Sequence, residues 1–153
     1  MAKGVRSRKG GAALDTSVIV PALLSWHEHH ALALAAVQSA LGAPERAVVP
    51  LPALVEAFAV MTRLPAPFRI SAHVAHRLLN TTFRARARVV ALTATDAWTL
   101  LDEVAAQQLA GGATYDAHIA ACARRAGAAS LVTFNRRHFE RLPLGDVQLV
   151  VPG

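Results

Sequence analysis

The chain has 153 residues, of which 54% are apolar, and a formal net charge of +6. This length is typical of one domain with a hydrophobic core, and no 20–50-residue repeat or low-complexity stretch indicates a solenoid or a disordered protein. The single cysteine excludes an internal disulfide and a thiolate metal cluster. No apolar stretch reaches the roughly 18 residues of a membrane span. We therefore expect a cytoplasmic protein without a membrane partner.

The first eleven residues differ from the rest of the chain in composition. They hold four of the sixteen basic residues, Lys3, Arg6, Arg8 and Lys9. A basic segment before an apolar run superficially resembles a signal peptide, but Asp15 interrupts that run and no cleavage site follows. We expect residues 1–11 to form a basic flexible arm and residues 12–153 to form one domain.

The predicted elements begin with a strand at residues 12–20, a short apolar run that ends in β-branched residues. A helix follows at about 26–41, because Ser25 and Glu28 have the spacing of a capping box. Gly42 and the proline after it end this helix.

Two helices follow the second predicted strand, which covers residues 47–51. The helix at 52–63 opens on a proline, which is tolerated at the first helical position, and Ser71 is the expected N-cap of the next, at 71–81. The remaining predicted elements are a strand at 88–92, a helix from Thr95 or Asp96 to Gly111, a helix from Thr114 to Gly127, and strands at 130–134 and 147–151.

Strands that are apolar on both faces and alternate with helices are typical of a mainly parallel sheet covered on both sides. We therefore expect an α/β fold, a three-layer α/β/α sandwich with four or five strands. In such folds the binding site lies outside the carboxyl ends of the strands. Polar residues at those ends are the candidates for function.

Three carboxylates, Asp15, Glu56 and Asp116, stand alone in segments whose other residues indicate core. Each is the only charged residue in a stretch of at least sixteen. Placing an unpaired carboxylate near an apolar core is costly unless it coordinates a metal. If the fold brings the three together, a divalent cation is the obvious compensation, and oxygen ligands without cysteine favour Mg²⁺ or Mn²⁺.

Several of these residues also have simpler explanations. Asp116 alone is equally well explained as an acid in the first turn of a helix, where the macrodipole favours negative charge. Asp96 is a possible neighbouring acid, but a helix N-cap explains it better. The histidines of His27-Glu28-His29-His30 point in different directions in a helical first turn, so we expect a solvated helix start. Two tryptophans, Trp26 and Trp98, are too isolated in the sequence to predict a base-stacking platform.

Four motifs occur in a fixed order across residues 12–151. They are Leu-Asp-Thr-Ser-Val around Asp15, Glu56 in the helix after the second strand, Tyr-Asp-Ala-His-Ile-Ala-Ala around Asp116, and Leu-Val-Thr-Phe-Asn ending at Asn135 with Phe139 after it. The ordered set resembles the PIN domain, and most closely the VapC toxins of bacterial toxin–antitoxin pairs. No single motif is decisive.

The resemblance implies that Asp15, Glu56 and Asp116 bind Mg²⁺ or Mn²⁺ and form, with Asn135, the catalytic site of a metal-dependent endoribonuclease. The expected products are RNA ends with a 3′-hydroxyl and a 5′-phosphate. Asn135 stands where the family usually has a fourth acid, which leaves open whether one ion or two bind. Thr16, Ser17 and Thr133 are expected to orient the ligands, and Arg136, Arg137 and His138 to contact RNA phosphates.

The implied partners are an RNA substrate, a cognate antitoxin and a second copy of the chain in a homodimer. The apolar helix at 52–62 also predicts docking of a folded partner. Two other functions stay open. One is a PIN-like RNA-binding or interaction module that has lost catalysis because of Asn135. The other, less favoured, is a phosphatase-like hydrolase with Asp15 as nucleophile, which lacks a second acid where Ser17 lies.

Overall fold

The computed structural model describes residues 10–153, so the proposed basic arm lies outside the described residues except for its last two positions. The strands are β1 (Ala12–Leu14), β2 (Ala47–Pro50), β3 (Ala87–Val90), β4 (Ser130–Val132) and β5 (Gln148–Val150). The helices are α1 (Thr16–Leu23), α2 (His30–Gly42), α3 (Leu51–Arg63), α4 (Ala72–Phe83), α5 (Ala94–Ala106), α6 (Gly112–Arg125) and α7 (Arg136–Phe139).

The five strands form one parallel sheet in the order β3-β2-β1-β4-β5, flanked by helices. The expected α/β sandwich is confirmed. The central strand β1 pairs with β2 and β4, and Leu14 lies beside Val132. All carboxyl ends meet at one edge of the sheet, so residues following β1 and β4 are neighbours there. Among the described residues, no helix is long and apolar enough to cross a membrane.

The first predicted strand is wrong beyond Leu14. Asp15 has extended backbone angles and occupies the N-cap position of α1, and the β-branched run that follows it is helical. Val18 and Ile19 are fully buried, and α1 packs against α2 and α3. Burial of these side chains outweighs the modest helix propensity of β-branched residues. Asp15 therefore lies at the junction of a strand and a helix.

The capping box predicted from Ser25 and Glu28 is absent. The chain turns between α1 and α2, with His27 N–H donating to the Leu24 carbonyl (3.0 Å) and His30 N–H to the His27 carbonyl (2.9 Å). The helix α2 starts only at His30, and its N-cap side chain makes no capping bond. The chain must reverse here to pack α2 on α1, and that requirement overrides the local spacing.

Two other predicted helix ends are confirmed, and one is wrong. Ser71 caps α4 by accepting the Val74 N–H at 3.2 Å, as predicted. Gly127, with φ +64°, follows the last turn of α6 as a C-terminal glycine should. Thr114, however, does not cap α6, which begins one turn earlier at Gly112 without a side-chain cap. Asp116 is therefore not in the first turn of α6, and the macrodipole explains it less well.

Helix α5 also begins earlier than predicted. Thr93 is the N-cap, and Asp96 completes a capping box by accepting the Thr93 N–H while donating its own to the Thr93 hydroxyl, each at 3.1 Å. Asp96 therefore stabilises the first turn of α5, a structural role close to the helix N-cap that the sequence suggested. The short helix α7 was not predicted at all.

Candidate active site

Two buried polar residues at the carboxyl edge of the sheet follow the neighbouring strands β1 and β4. Asp15 follows β1 and is 3% exposed, and Thr133 follows β4 and is fully buried. The backbone N–H of Asp15 donates to the Val132 carbonyl at 3.0 Å, which continues the ladder between the strands. This pairing fixes Asp15 and Thr133 side by side.

One carboxylate oxygen of Asp15 is held by two hydroxyl groups. Oδ2 accepts from Ser17 Oγ at 2.7 Å and from Thr133 Oγ1 at 2.8 Å. Each hydroxyl in turn accepts a backbone N–H: Ser17 from Phe134 (3.0 Å) and Thr133 from Asn135 (2.9 Å). The hydroxyl protons therefore point at Oδ2, because the backbone donors occupy the acceptor sides of both oxygens. The network sets the orientation of the carboxylate.

The other oxygen of Asp15 is left available. Aspartate at an N-cap ordinarily accepts from the first turn of its helix, yet the Asp15 side chain makes no capping bond to α1. Among the described residues, no hydrogen bond engages Oδ1. A carboxylate turned away from its cap and held through one oxygen can offer the second to a ligand.

Glu56 reaches the same edge from α3. Its Oε2 accepts from Thr16 Oγ1 at 2.8 Å, a contact that joins residues 40 positions apart. The side chain of Glu56 is exposed, although the residues around it in the sequence indicate core. The three consecutive residues Asp15, Thr16 and Ser17 therefore contact both α3 and the end of β4.

A cavity of about 350 Å³ lies at this edge, and Glu56, Asp116 and Asn135 all line it. The remaining lining residues are Gly112, Ala113, Tyr115, His138 and Arg141. Three of the four residues predicted to be catalytic thus surround one cavity. The fourth, Asp15, is close enough for its charge to act on Asp116.

The pKa of Asp116 reflects burial and the charges around the cavity. Burial raises the pKa of its carboxyl, and the nearby charges of Asp15 and Glu56 raise it further. His138, whose Nδ1 lies 3.4 Å from Asp116 Oδ2, and Arg141 lower that pKa without reversing the shift. Burial and carboxylate repulsion together therefore outweigh the opposing effect of His138 and Arg141.

The donor set fits a hard divalent cation. All candidate ligand atoms are carboxylate or amide oxygens, and a cation would relieve the repulsion at Asp116. No three His, Cys, Asp or Glu side chains within residues 10–153 lie close enough together to hold an ion by themselves. Mg²⁺ does not require such an all-protein cage, because it keeps several waters and takes only one or two carboxylates from the protein.

Other candidates from the sequence lie outside this cavity. Asp96 forms an ion pair with Arg125 beside its capping box, in a different pocket. His27 and His29 lie in the turn before α2, where His29 Nε2 is 3.8 Å from the Glu28 carboxylate, and His30 is the first residue of α2.

Arg141 is the cavity residue that the sequence reading missed. It follows α7, and without that helix no pattern in the sequence places it beside Asp116. The one sequence feature that pointed to Arg141 was its spacing of four positions from Arg137, which corresponds to one helical turn.

A sequence model of the PIN domain matches residues 12–144. The ribonuclease VapC40 of Mycobacterium tuberculosis is 36% identical over 139 residues, which cover 89% of this chain and 96% of that protein. The crystal structure of VapC20 from the same species, a toxin that cleaves the sarcin–ricin loop, superposes with a TM-score of 0.68 at 16% identity, covering 88% of this chain and 98% of that one.

A further similar structure is VapBC2 of Rickettsia felis bound to a DNA fragment from its promoter, with a TM-score of 0.62 at 20% identity. It covers 92% of this chain and 97% of that one. At these identities the solved structures establish the fold. The family match and the VapC40 relative go further, because both extend over most of the chain. The chain therefore belongs to the PIN-domain family of VapC-type ribonucleases.

Proposed function

We propose that the protein is a metal-dependent endoribonuclease, the toxin of a toxin–antitoxin pair, which hydrolyses RNA phosphodiesters in the cytoplasm and is restrained by a cognate antitoxin. The observation that carries the proposal is the buried Asp15 carboxylate, oriented by Ser17 and Thr133 through Oδ2 with Oδ1 left free. A purely structural aspartate at this N-cap would bond to its own helix.

We assign metal binding to Asp15, Glu56 and Asp116, directly or through the waters that the ion keeps, and a supporting catalytic position to Asn135. A bound Mg²⁺ or Mn²⁺ would activate a water and stabilise charge on a phosphoryl oxygen. Glu56 uses Oε2 to accept from Thr16, so Oε1 is the atom available to accept a proton or orient a water. Asn135 lines the cavity and adds an amide oxygen without adding charge.

The substrate phosphate would meet a guanidinium and an imidazole beside the acids. Arg141 and His138 line the cavity, and the charges of both lower the pKa of Asp116. A guanidinium pairs well with phosphate oxygens, so Arg141 is the candidate anchor for the scissile phosphate.

The antitoxin and a second copy of the chain are the proposed protein partners. VapBC2, one of the similar structures, is a complex. In this chain, an apolar groove of about 490 Å³ lies between α3, α4 and the edge strand β3. Its wall includes Val55, which is 60% exposed, and Leu54 and Phe58 from the same helix. We propose that a folded partner docks on α3 at this apolar surface.

The proposal is tested by RNA cleavage at increasing Mg²⁺ or Mn²⁺, with EDTA as the metal-free reference. We expect cleavage by the wild type and a loss of about 100-fold or more in Asp116→Asn, because metal stabilisation of the transition state is worth several kcal/mol. Asp102→Asn is the matched control, since Asp102 is exposed on α5. Metal-independent RNA binding without cleavage by the wild type would instead favour the non-catalytic module.

A further inference from the structure

Five aromatic rings form a continuous row beside the active site, although the sequence had suggested that Trp26 is isolated. Neighbouring ring centroids are 4.6 to 5.8 Å apart. In spatial order the rings belong to Phe68, Trp26, His27, His29 and Phe134. They come from three segments of the chain, which are the loop after α3, the turn before α2 and the end of β4.

The row is accessible at its surface. Trp26 is 47% exposed and Phe68 is 45% exposed, and the side chain of His29 is also 47% exposed. Aromatic residues that serve only to fill a core lose most of their surface to it. Here two large rings pack against each other and still leave about half of their area to solvent. The exposed ring surface is therefore open to a further planar group.

The inner end of the row is connected to the catalytic carboxylate. His29 stacks on Phe134 with centroids 4.7 Å apart and planes at 19°. The Phe134 N–H donates to Ser17 Oγ, which donates to Asp15 Oδ2. Two bonded steps thus separate the innermost ring from the carboxylate. Asn135, the residue after Phe134, lines the cavity, so the inner end of the row lies beside the place of the proposed reaction.

The charges around the row are mixed, with more cationic groups than anionic. Exposed arginines flank both ends, Arg69 next to Phe68 and Arg136 with Arg137 after Asn135. Glu28, whose side chain is 83% exposed, opposes them, and Glu140 lies 3.8 Å from the guanidinium of Arg136. Guanidinium groups at both ends and ring faces between them suit a ligand that has phosphates and flat bases.

We propose that this aromatic row binds unpaired bases of the RNA next to the scissile phosphate, an inference that rests on the proposed function. Unpaired bases stack on aromatic side chains, whereas the bases of an A-form duplex are already stacked on one another. The row would hold bases on one side of the cleaved bond and place the phosphate at the acids.

The first test measures binding in a protein that cannot cleave. In Asp116→Asn combined with Trp98→Phe, Trp26 is the only tryptophan and reports stacking by fluorescence quenching. The probes are a single-stranded oligoribonucleotide, an abasic oligomer with the same phosphates, and a duplex of the same sequence. We expect quenching by the single strand, and affinity about 10- to 100-fold weaker for the abasic oligomer, as the loss of base stacking predicts. Equal affinity for the single-stranded and abasic oligomers would overturn the inference.

The second test measures cleavage by proteins with an intact catalytic site. Trp26→Leu should raise KM for a single-stranded substrate about tenfold or more with little change in kcat, and Trp26→Phe should restore most of the loss. Trp98→Leu, which changes a tryptophan that is 70% exposed on α5, is the matched control and should leave both constants unchanged.

The outcomes separate this inference from the proposed function. If the wild type cleaves, Asp116→Asn does not, and Trp26→Leu leaves KM unchanged, the function stands and the base subsite is wrong. If Trp26→Leu instead weakens only antitoxin binding, the row is a protein-docking surface and the inference is also wrong. If the wild type does not cleave with any divalent cation, the proposed function fails, and the fluorescence titration still decides whether the rings bind bases.

Discussion

Replacing Thr133 by valine removes one hydroxyl from a fully buried site and keeps the side-chain shape. Two hydrogen bonds are lost, the one donated to Asp15 Oδ2 at 2.8 Å and the one accepted from the Asn135 N–H at 2.9 Å. A bond to a charged group is worth about 1.5–3 kcal/mol, and a buried unsatisfied donor costs about 1–3 kcal/mol. Since Asn135 is exposed and water reaches it, we expect a total loss of about 2–4 kcal/mol.

That loss would lower the thermal midpoint by roughly 4–16 °C in a domain of this size. The same variant should raise the Mg²⁺ or Mn²⁺ concentration for half-maximal RNA cleavage about 10- to 100-fold, as expected when a group that orients a metal ligand is removed. Thermal unfolding and a metal titration of cleavage measure the two effects on one preparation.

Two further substitutions make the comparison specific. Thr133→Ser keeps the hydroxyl and should retain the metal dependence, while losing about 1 kcal/mol for the missing buried methyl. Thr81→Val removes an exposed hydroxyl that bonds only to carbonyls of its own helix, and should change neither quantity by much. The reasoning is refuted if Thr133→Val cleaves with wild-type metal dependence, because Asp15 would then not need this hydroxyl to orient its carboxylate.

Three other substitutions test the charge and the surfaces of the protein. Asn135→Asp adds a carboxylate beside the proposed ion and should lower the metal concentration for half-maximal cleavage; an unchanged titration would show that Asn135 is not beside the ion. Asp116→Asn should raise the unfolding midpoint in EDTA at pH 7. The pKa of Asp116 is raised in the folded protein, so the wild type loses stability as pH rises from about 3.8 through that pKa, and the asparagine variant does not. The gain should therefore vanish in unfolding scans below pH 3.8. Val55→Glu should weaken antitoxin binding or self-association about tenfold or more by burying a charge, measured by light scattering and titration, while Val74→Glu outside the groove should not.

The fold was predictable because its strongest signals are local. Short apolar runs alternate with helical segments, and Ser71 and Gly127 mark helix ends through chemistry that acts within one turn. Likewise, Asp116 and Glu56 were conspicuous because each is the only charge in a long apolar stretch. Parallel pairing then brings strand ends together, so local signals sufficed to suggest a shared site.

The remaining features depend on contacts that are distant in the sequence. The run Val18 to Val20 favours a strand by propensity and becomes a helix only because α2 and α3 bury it. The ring of Trp26 lies 4.6 Å from that of Phe68, a neighbour 42 positions away in a loop without any periodic pattern. Arg141 required the unpredicted helix α7. In each case the deciding contact joins segments whose mutual placement no local pattern specifies.

The site has three carboxylates although the chain as a whole is basic, and this contrast bears on why an asparagine stands at position 135. The protein as a whole carries +6, yet burial and the charges of Asp15 and Glu56 raise the pKa of Asp116 more than His138 and Arg141 lower it. A fourth acid would add to that repulsion in the metal-free protein and strengthen cation binding. Asparagine keeps an oxygen at the cavity while leaving the charge at three carboxylates, which one divalent cation and the neighbouring Arg141 can balance. We therefore expect a single ion, a prediction that the metal titration of Asn135→Asp tests.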